Sequence, residues 1–110
     1  MTVEKVISAL NLLPENVADG ACEIESAYAG DFLSWVMGRA LPKSIWFTVM
    51  NNINVAGVAA LADVALVVLC EGVRADDNLL AKAKMQGINV AVSELPIYET
   101  CVAFSKVKGE

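Results

Sequence analysis

The spacing of apolar and polar positions divides the chain into alternating helical and extended segments. Val3, Val6, Ile7 and Leu10 recur at i, i+3, i+4, i+7, the stripe of a one-sided helix that Thr2 starts as N-cap and that runs to about Asn11. Pro14 stops any continuation, and Asn16 to Gly20 reads as a polar turn region. Cys22 to Tyr28 alternates, with acids at Glu23 and Glu25, as a half-exposed strand does. Gly30-Asp31 opens a helix to about Arg39 with Asp31 as N-cap, and Leu41 to Ser44 is a short connector. Ile45 to Met50 is a strand rich in β-branched and aromatic residues, and Asn51 or Asn52 caps a helix to about Ala62. Ala65 to Cys70 is continuously apolar, the mark of a central strand covered on both faces.

The remainder follows the same rhythm. Glu71 to Ala75 is a loop, and Asp76 caps a helix of Asp77 to Gln86 whose early acid and late Lys82 and Lys84 suit the helix dipole. Gly87 stops it, Ile88 to Val92 is a strand, and Pro96 sits in the first turn of a last helix that stacks Ile97, Cys101 and Phe104. The order α-β-α-β-α-β-α-β-α predicts one α/β domain over residues 1–110, a mainly parallel four-stranded sheet with helices on both faces. On the helix to Arg39, Phe32, Leu33, Val36, Met37 and Ala40 form one apolar arc, with Trp35 outside it beside Arg39. A large aromatic off the core face either anchors an interface, to a second copy or a partner, or covers the sheet edge.

Composition sharpens the picture. Of 110 residues 56% are apolar, and mean hydropathy is +0.54, which a membrane or an unusually full core must absorb. The most membrane-like stretch, Val55 to Cys70, carries Asp63 in its middle and changes from alanine-rich to β-branched there, so helix then strand is the better reading. The first residues lack the basic region and long apolar run of a signal peptide. Cys22, Cys70 and Cys101 are expected to be buried free thiols, which fits a cytoplasmic location.

Charge and chemistry narrow the function. A net charge of −5 and a pI near 4.6, with scattered cations, argue against nucleic acid and against an anionic membrane surface. The absence of histidine excludes Ser-His-Asp and Cys-His catalysis and the usual zinc sites. No C-x-x-C, dinucleotide fingerprint or P-loop occurs, so no cofactor is expected. Ligands of open parallel sheets bind beyond the strand carboxyl ends. Here Asn51, Asn52 and Asn54 crowd the second such end, where they either meet a polar ligand or only cap a helix and build a turn. At the third end Glu71 repels anions, while Arg74 either offsets it or is a solvated loop cation. Asp76-Asp77 reads as N-cap and dipole complement rather than a metal pair.

Two segments carry a family resemblance. Gly30-Asp31-Phe32-Leu33-Ser34-Trp35-Val36-Met37-Gly38 resembles the sDlLSdVMg segment of small stand-alone DRTGG-domain proteins. Trp46-Phe47-Thr48-Val49-Met50-Asn51-Asn52-Ile53-Asn54-Val55-Ala56-Gly57-Val58-Ala59 resembles their W-I-T-I-Q-x-H-x-N-I-x-A-V-A segment. Asp63-Val64-Ala65, the Gly72 loop and Ala83 to Ile88 extend the match over nearly the whole chain. The resemblance implies a fold like that of MurF and the HPr kinase N-terminal domain, frequent homodimerisation and no enzymatic activity. Relatives are regulatory modules in phosphotransacetylase-like and CBS-containing pyrophosphatase proteins, associated with adenine nucleotides or dimerisation; stand-alone ones are often encoded near iron-only hydrogenase and redox-complex subunits.

The chain departs from the pattern in one region. The name-giving Asp-Arg falls near Asn51-Asn52 and the Thr-Gly-Gly near Cys70-Glu71-Gly72, where only Gly72 is kept. The relatives' histidine is Asn52 here and their asparagine persists as Asn54, so no arginine stands in that loop. The resulting expectation is a non-enzymatic regulatory or accessory domain, homodimeric. It would bind a small polar ligand such as an adenine nucleotide, or a redox-enzyme partner, around Asn51, Asn52, Asn54, Gly72 and Arg74. The alternative is an interaction module without ligand whose contact is Trp35 and Arg39. An enzyme is the third reading, with carboxylates such as Glu71 and Asp76 but no paired nucleophile or base.

Overall fold

Five helices and five strands make up the computed structural model, which describes residues 1–109: α1 (Val3–Ala9), β1 (Leu13–Asn16), β2 (Ser26–Ala29), α2 (Leu33–Arg39), β3 (Ser44–Thr48), α3 (Asn54–Leu61), β4 (Leu66–Leu69), α4 (Asp77–Gln86), β5 (Val90–Val92) and α5 (Ile97–Lys108). The strands form a single sheet in the order β1-β5-β4-β3-β2. β2, β3, β4 and β5 run parallel, in register Tyr28↔Trp46↔Val67↔Val90, and β1 joins β5 antiparallel. The sheet is therefore mixed and five-stranded, not four-stranded.

The extra strand was hidden by its own sequence. Leu13–Asn16 is four residues long, contains Pro14 and shows no alternation; its pairing partner lies at the far end of the chain, with Leu13 opposite Val92. A second correction concerns the strand expected over Cys22 to Tyr28: the sheet strand begins only at Ser26 and runs one residue further, to Ala29, while Glu23 makes an isolated bridge to Thr2.

Side-chain alternation along the central strands builds two cores. Trp46, Val67, Leu69, Val90 and Val92 face α2, α3 and α4, where Val36, Val55, Ala59, Leu79 and Ala83 meet them. Ile45, Phe47, Leu66, Val68 and Ala91 face α1 and α5, where Val3, Val6 and Phe104 close the layer. The apolar excess is thus spent on a sheet covered on both faces. No helix among the described residues is long and apolar enough to cross a membrane. All three cysteines are free and border the same core, but only Cys70 is fully buried; Cys22 and Cys101 are half-buried.

Local signals set some helix ends and long-range contacts set others. The Thr2 side chain accepts from Lys5 N and that of Asp76 from Leu79 N, and Gly87 closes α4 in the left-handed region, as their sequence positions indicate. Pro96 is itself the residue before α5. Asp31 is not the cap of α2: Phe32 holds that place without a side-chain bond. Asn52 rather than Asn51 caps α3: Ile53 is already helical at φ −57°, ψ −27°, and Asn52 Oδ1 accepts from Asn54 N. The arc expected on α2 also narrows, since only Val36 is buried while Phe32 and Met37 face outward.

Candidate functional site

The carboxyl ends of the parallel strands lie along one rim of the sheet, and hydrogen bonds there run between loops. Asp31, freed from capping, accepts at Oδ1 from Thr48 Oγ1 at 2.6 Å and from Val49 N at 3.0 Å. Thr48 Oγ1 in turn accepts from Met50 N. The exit of β3 is thereby fixed to the exit of β2, and Trp46 adds a bond from Nε1 to Gly30 O.

The next seam joins the β3–α3 and β4–α4 loops. Asn51 Nδ2 donates to Arg74 O at 2.9 Å, and Asp76 N donates to Asn51 O at 3.2 Å. One step on, Asn52 Oδ1 accepts from Asn54 N at 3.0 Å, an Asx turn that brings the chain into α3. The Asn54 carboxamide is exposed at the first turn of that helix. Of the sequence-derived candidates, Asn51 and Arg74 are thus in direct contact, and Asn52 and Asn54 share the adjoining turn.

Gly72 faces the other way along the rim. Glu71 and Gly72 both adopt left-handed backbone, φ +63° and +69°, and their N–H groups donate to Leu95 O and Ser93 O. A Cβ on Gly72 would lie 3.0 Å from Glu94 Oε2. Gly72 therefore belongs with the β5 exit, where the buried Ser93 and Thr100 hydroxyls pair at 2.8 Å. Cys70, just before this turn, has its thiol pushed up to about 11 by burial.

Arg74 is not a free loop cation. Its Nε and Nη2 donate to the two carboxylate oxygens of Glu15 at 2.7 and 2.8 Å, a bidentate pair. The Glu15 side chain is only 7% exposed, against 62% for Arg74, and it also accepts from Ala75 N. The Arg74 guanidinium holds the Glu15 carboxyl below its ordinary range. Glu15 was invisible in the sequence, because it sits on the unrecognised β1 and meets a residue 59 positions away. Asn89 was more legible, being a lone amide in an apolar strand segment. Buried, it accepts from Ala18 N and Asp19 N and donates to Asp19 O and Ala65 O, tying down the turn after β1.

Trp35 and Arg39 lie apart from this rim, on the outer face of α2. Phe32 and Trp35 meet edge to face with ring centroids 5.1 Å apart, and the Arg39 guanidinium lies 4.3 Å over the Trp35 ring. The stack is exposed, Phe32 by 59% and Trp35 by 51%. A depression of about 350 Å³ lies on α5, lined by Tyr98, Glu99, Val102, Ala103 and Lys106. Those residues all come from one helix, so the depression has no opposing wall and no link to the rim. No set of three or more His, Cys, Asp or Glu among the described residues is placed to hold a metal ion.

The fold has a solved counterpart. The crystal structure of the CBS and DRTGG domains of the regulatory region of Clostridium perfringens pyrophosphatase, complexed with its activator diadenosine tetraphosphate, is similar with a TM-score of 0.76. The likeness covers 93% of this chain at 9% identity, and this chain spans 45% of that one's length, a size that fits its DRTGG part. No protein family model and no curated protein matches the sequence. The chain is a single α/β unit with a DRTGG-like fold.

Proposed function

We propose that this chain is a non-enzymatic regulatory domain that binds a small polar ligand at the carboxyl ends of β3 and β4. The observation that carries the reading is the Asn51–Arg74 bond. It joins two loops that belong to different βα units, so a ligand touching Asn52, Asn54 and the Arg74 segment bears on both at once. By stabilising one arrangement of those loops over another it shifts the population of states presented to a partner. The likeness to a regulatory region crystallised with a nucleotide activator supports an adenine nucleotide as the ligand.

Charge decides which part of such a ligand the rim grips. Glu71, Glu94 and Asp76 are exposed around it, and Glu15 occupies the fork of Arg74. Phosphates meet no uncommitted cation there, whereas the carboxamides of Asn52 and Asn54 match the donor and acceptor edge of a neutral base. Adenosine, ATP and diadenosine tetraphosphate at millimolar concentration, followed by thermal unfolding, test this. Ligand at 100 times its Kd adds about 2.7 kcal/mol of stability. Stabilisation lost in the Asn52→Ala, Asn54→Ala double variant is expected; no shift with any of the three compounds overturns the reading.

The exposed Phe32–Trp35–Arg39 stack favours a second reading, an interaction module without ligand whose contact is this face of α2 with a second copy or a partner protein. Sedimentation of the protein and its Trp35→Ala variant separates the readings, since only this one ties association to Trp35.

A further inference from the structure

We propose that the free edge of β2 docks an extended peptide segment of a partner protein, flanked by Lys or Arg, which adds as a further strand to the sheet. The sheet ends in β1 on one side and β2 on the other. Exposed edges invite strand addition unless they are blunted. β1 is blunted: Pro14 has no N–H, and the pairing shifts register between Pro14 and Asn16. β2 has neither device. Its four residues, Ser-Ala-Tyr-Ala, pair with β3 in unbroken register from Ser26↔Ser44 to Ala29↔Phe47.

The outward groups follow from the ladder. Gly30 N donates to Phe47 O, so the even-numbered residues of β2 turn their backbone toward β3. Alternation leaves the N–H and C=O of Ala27 and Ala29 on the free side. Ala27 and Ala29 are exposed, although their partners Ile45 and Phe47 are buried, so the α1 and α5 layer stops short of β2. Two small side chains on an uncovered face leave room for those of an added strand.

The charges at the two ends of the edge select the occupant. Glu25 precedes the strand and Asp31 follows it, both exposed. The cations near them are committed: Lys43 pairs with Asp63, the N-terminal ammonium with Glu23, and Arg39 lies over Trp35. A second copy is a poor occupant, because antiparallel self-pairing centred on Tyr28 sets Glu25 against Asp31 at both ends. An extended segment with a cation at each end meets the Glu25 carboxylate and Oδ2 of Asp31, whose Oδ1 is held by Thr48 and Val49.

Fluorescence polarisation with labelled Lys-Thr-Val-Thr-Val-Thr-Lys, whose lysines are spaced as Glu25 and Asp31 are, its Glu-ended counterpart and a version with proline at its centre tests the proposal. Binding of the Lys-ended peptide, weakened about tenfold or more by Glu25→Lys and absent for the proline version, is expected. Binding should also slow amide exchange at Ala27 and Ala29. Ala27→Pro removes an outward N–H and should abolish binding; should that variant misfold, Glu25→Lys carries the test. Failure of the Lys-ended peptide to bind, equal binding of all three peptides, or unchanged exchange at both alanines overturns the proposal. Self-association abolished by Glu25→Lys or Ala27→Pro also overturns it, by making a second copy the occupant.

Discussion

The Glu15 carboxylate clasps the Arg74 guanidinium through two parallel hydrogen bonds and takes a third from Ala75 N, so β1 holds the β4–α4 loop in place. Glu15 is the buried partner and Arg74 the exposed one, which makes the contact an anchor for the loop more than a surface ion pair. Because Asn51 binds the carbonyl of the same arginine, the anchor extends to the β3–α3 loop.

This arrangement fixes a pH dependence. Glu15 titrates below its ordinary value of 4.5 in the folded chain, chiefly through its hydrogen bonds with Arg74. A depressed carboxyl stabilises the fold fully above the unfolded value and loses that contribution as pH falls through the folded one. Glu15→Gln should therefore lower the unfolding midpoint at pH 7, and the gap from the parent should close on acidification below 4.5. A gap unchanged at low pH would show that packing, not charge, makes Glu15 matter.

Adjacent residues in the rim should respond in opposite directions to substitution. Glu71 holds φ +63° with a Cβ, whereas Gly72 holds φ +69° without one. Glu71→Gly relieves left-handed strain and should stabilise by about 0.5–1 kcal/mol after the added chain entropy. Gly72→Ala introduces that strain, with its Cβ against Glu94 Oε2, and should destabilise by about 1–2 kcal/mol. Urea unfolding of the two variants reads both signs; a stabilised Gly72→Ala would contradict the turn geometry.

Asn89 presents a larger effect. Ala18 N, Asp19 N, Asp19 O and Ala65 O all bond to its carboxamide in the sheet's interior. Asn89→Ala removes the partner of each and should cost about 3 kcal/mol. Fast amide exchange at Ala18 and Asp19 should accompany the loss. A cost within a few tenths of a kcal/mol of zero would mean that water replaces the amide.

What the sequence disclosed and what it concealed separate by range. Asp76, Asp77–Gln86 and Gly87 are correctly placed because cap, dipole and stop signals act within a few residues. The two-sided cores follow from the apolar strand segments alone. Asp31 misleads because a good N-cap residue is drawn away by Thr48 and Val49, which no local rule foresees. α2 misleads for a different reason: seven residues over the last strands of a sheet bury a stripe too narrow to read from spacing, so Phe32 and Met37 look internal when they are not. At the rim, the asparagines were legible as polar residues at strand ends, but the Glu15 clasp, made across 59 residues, was not.

The two tryptophans allow α2 to be interrogated without a partner in hand. Trp46 is fully buried and hydrogen-bonded to Gly30 O, while Trp35 is half-exposed under Arg39. In Trp35→Phe the remaining emission should be blue-shifted and resistant to acrylamide. In Trp46→Phe, where tolerated, it should be red-shifted and readily quenched. If the α2 face associates with a second copy, quenching of Trp35 should fall as protein concentration rises, and Trp35→Ala should cost the association about 2 kcal/mol, the scale of a buried aromatic anchor. Quenching that is independent of concentration, with a monomer at every loading, would remove self-association from the second reading and leave the Phe32–Trp35–Arg39 stack to a different protein.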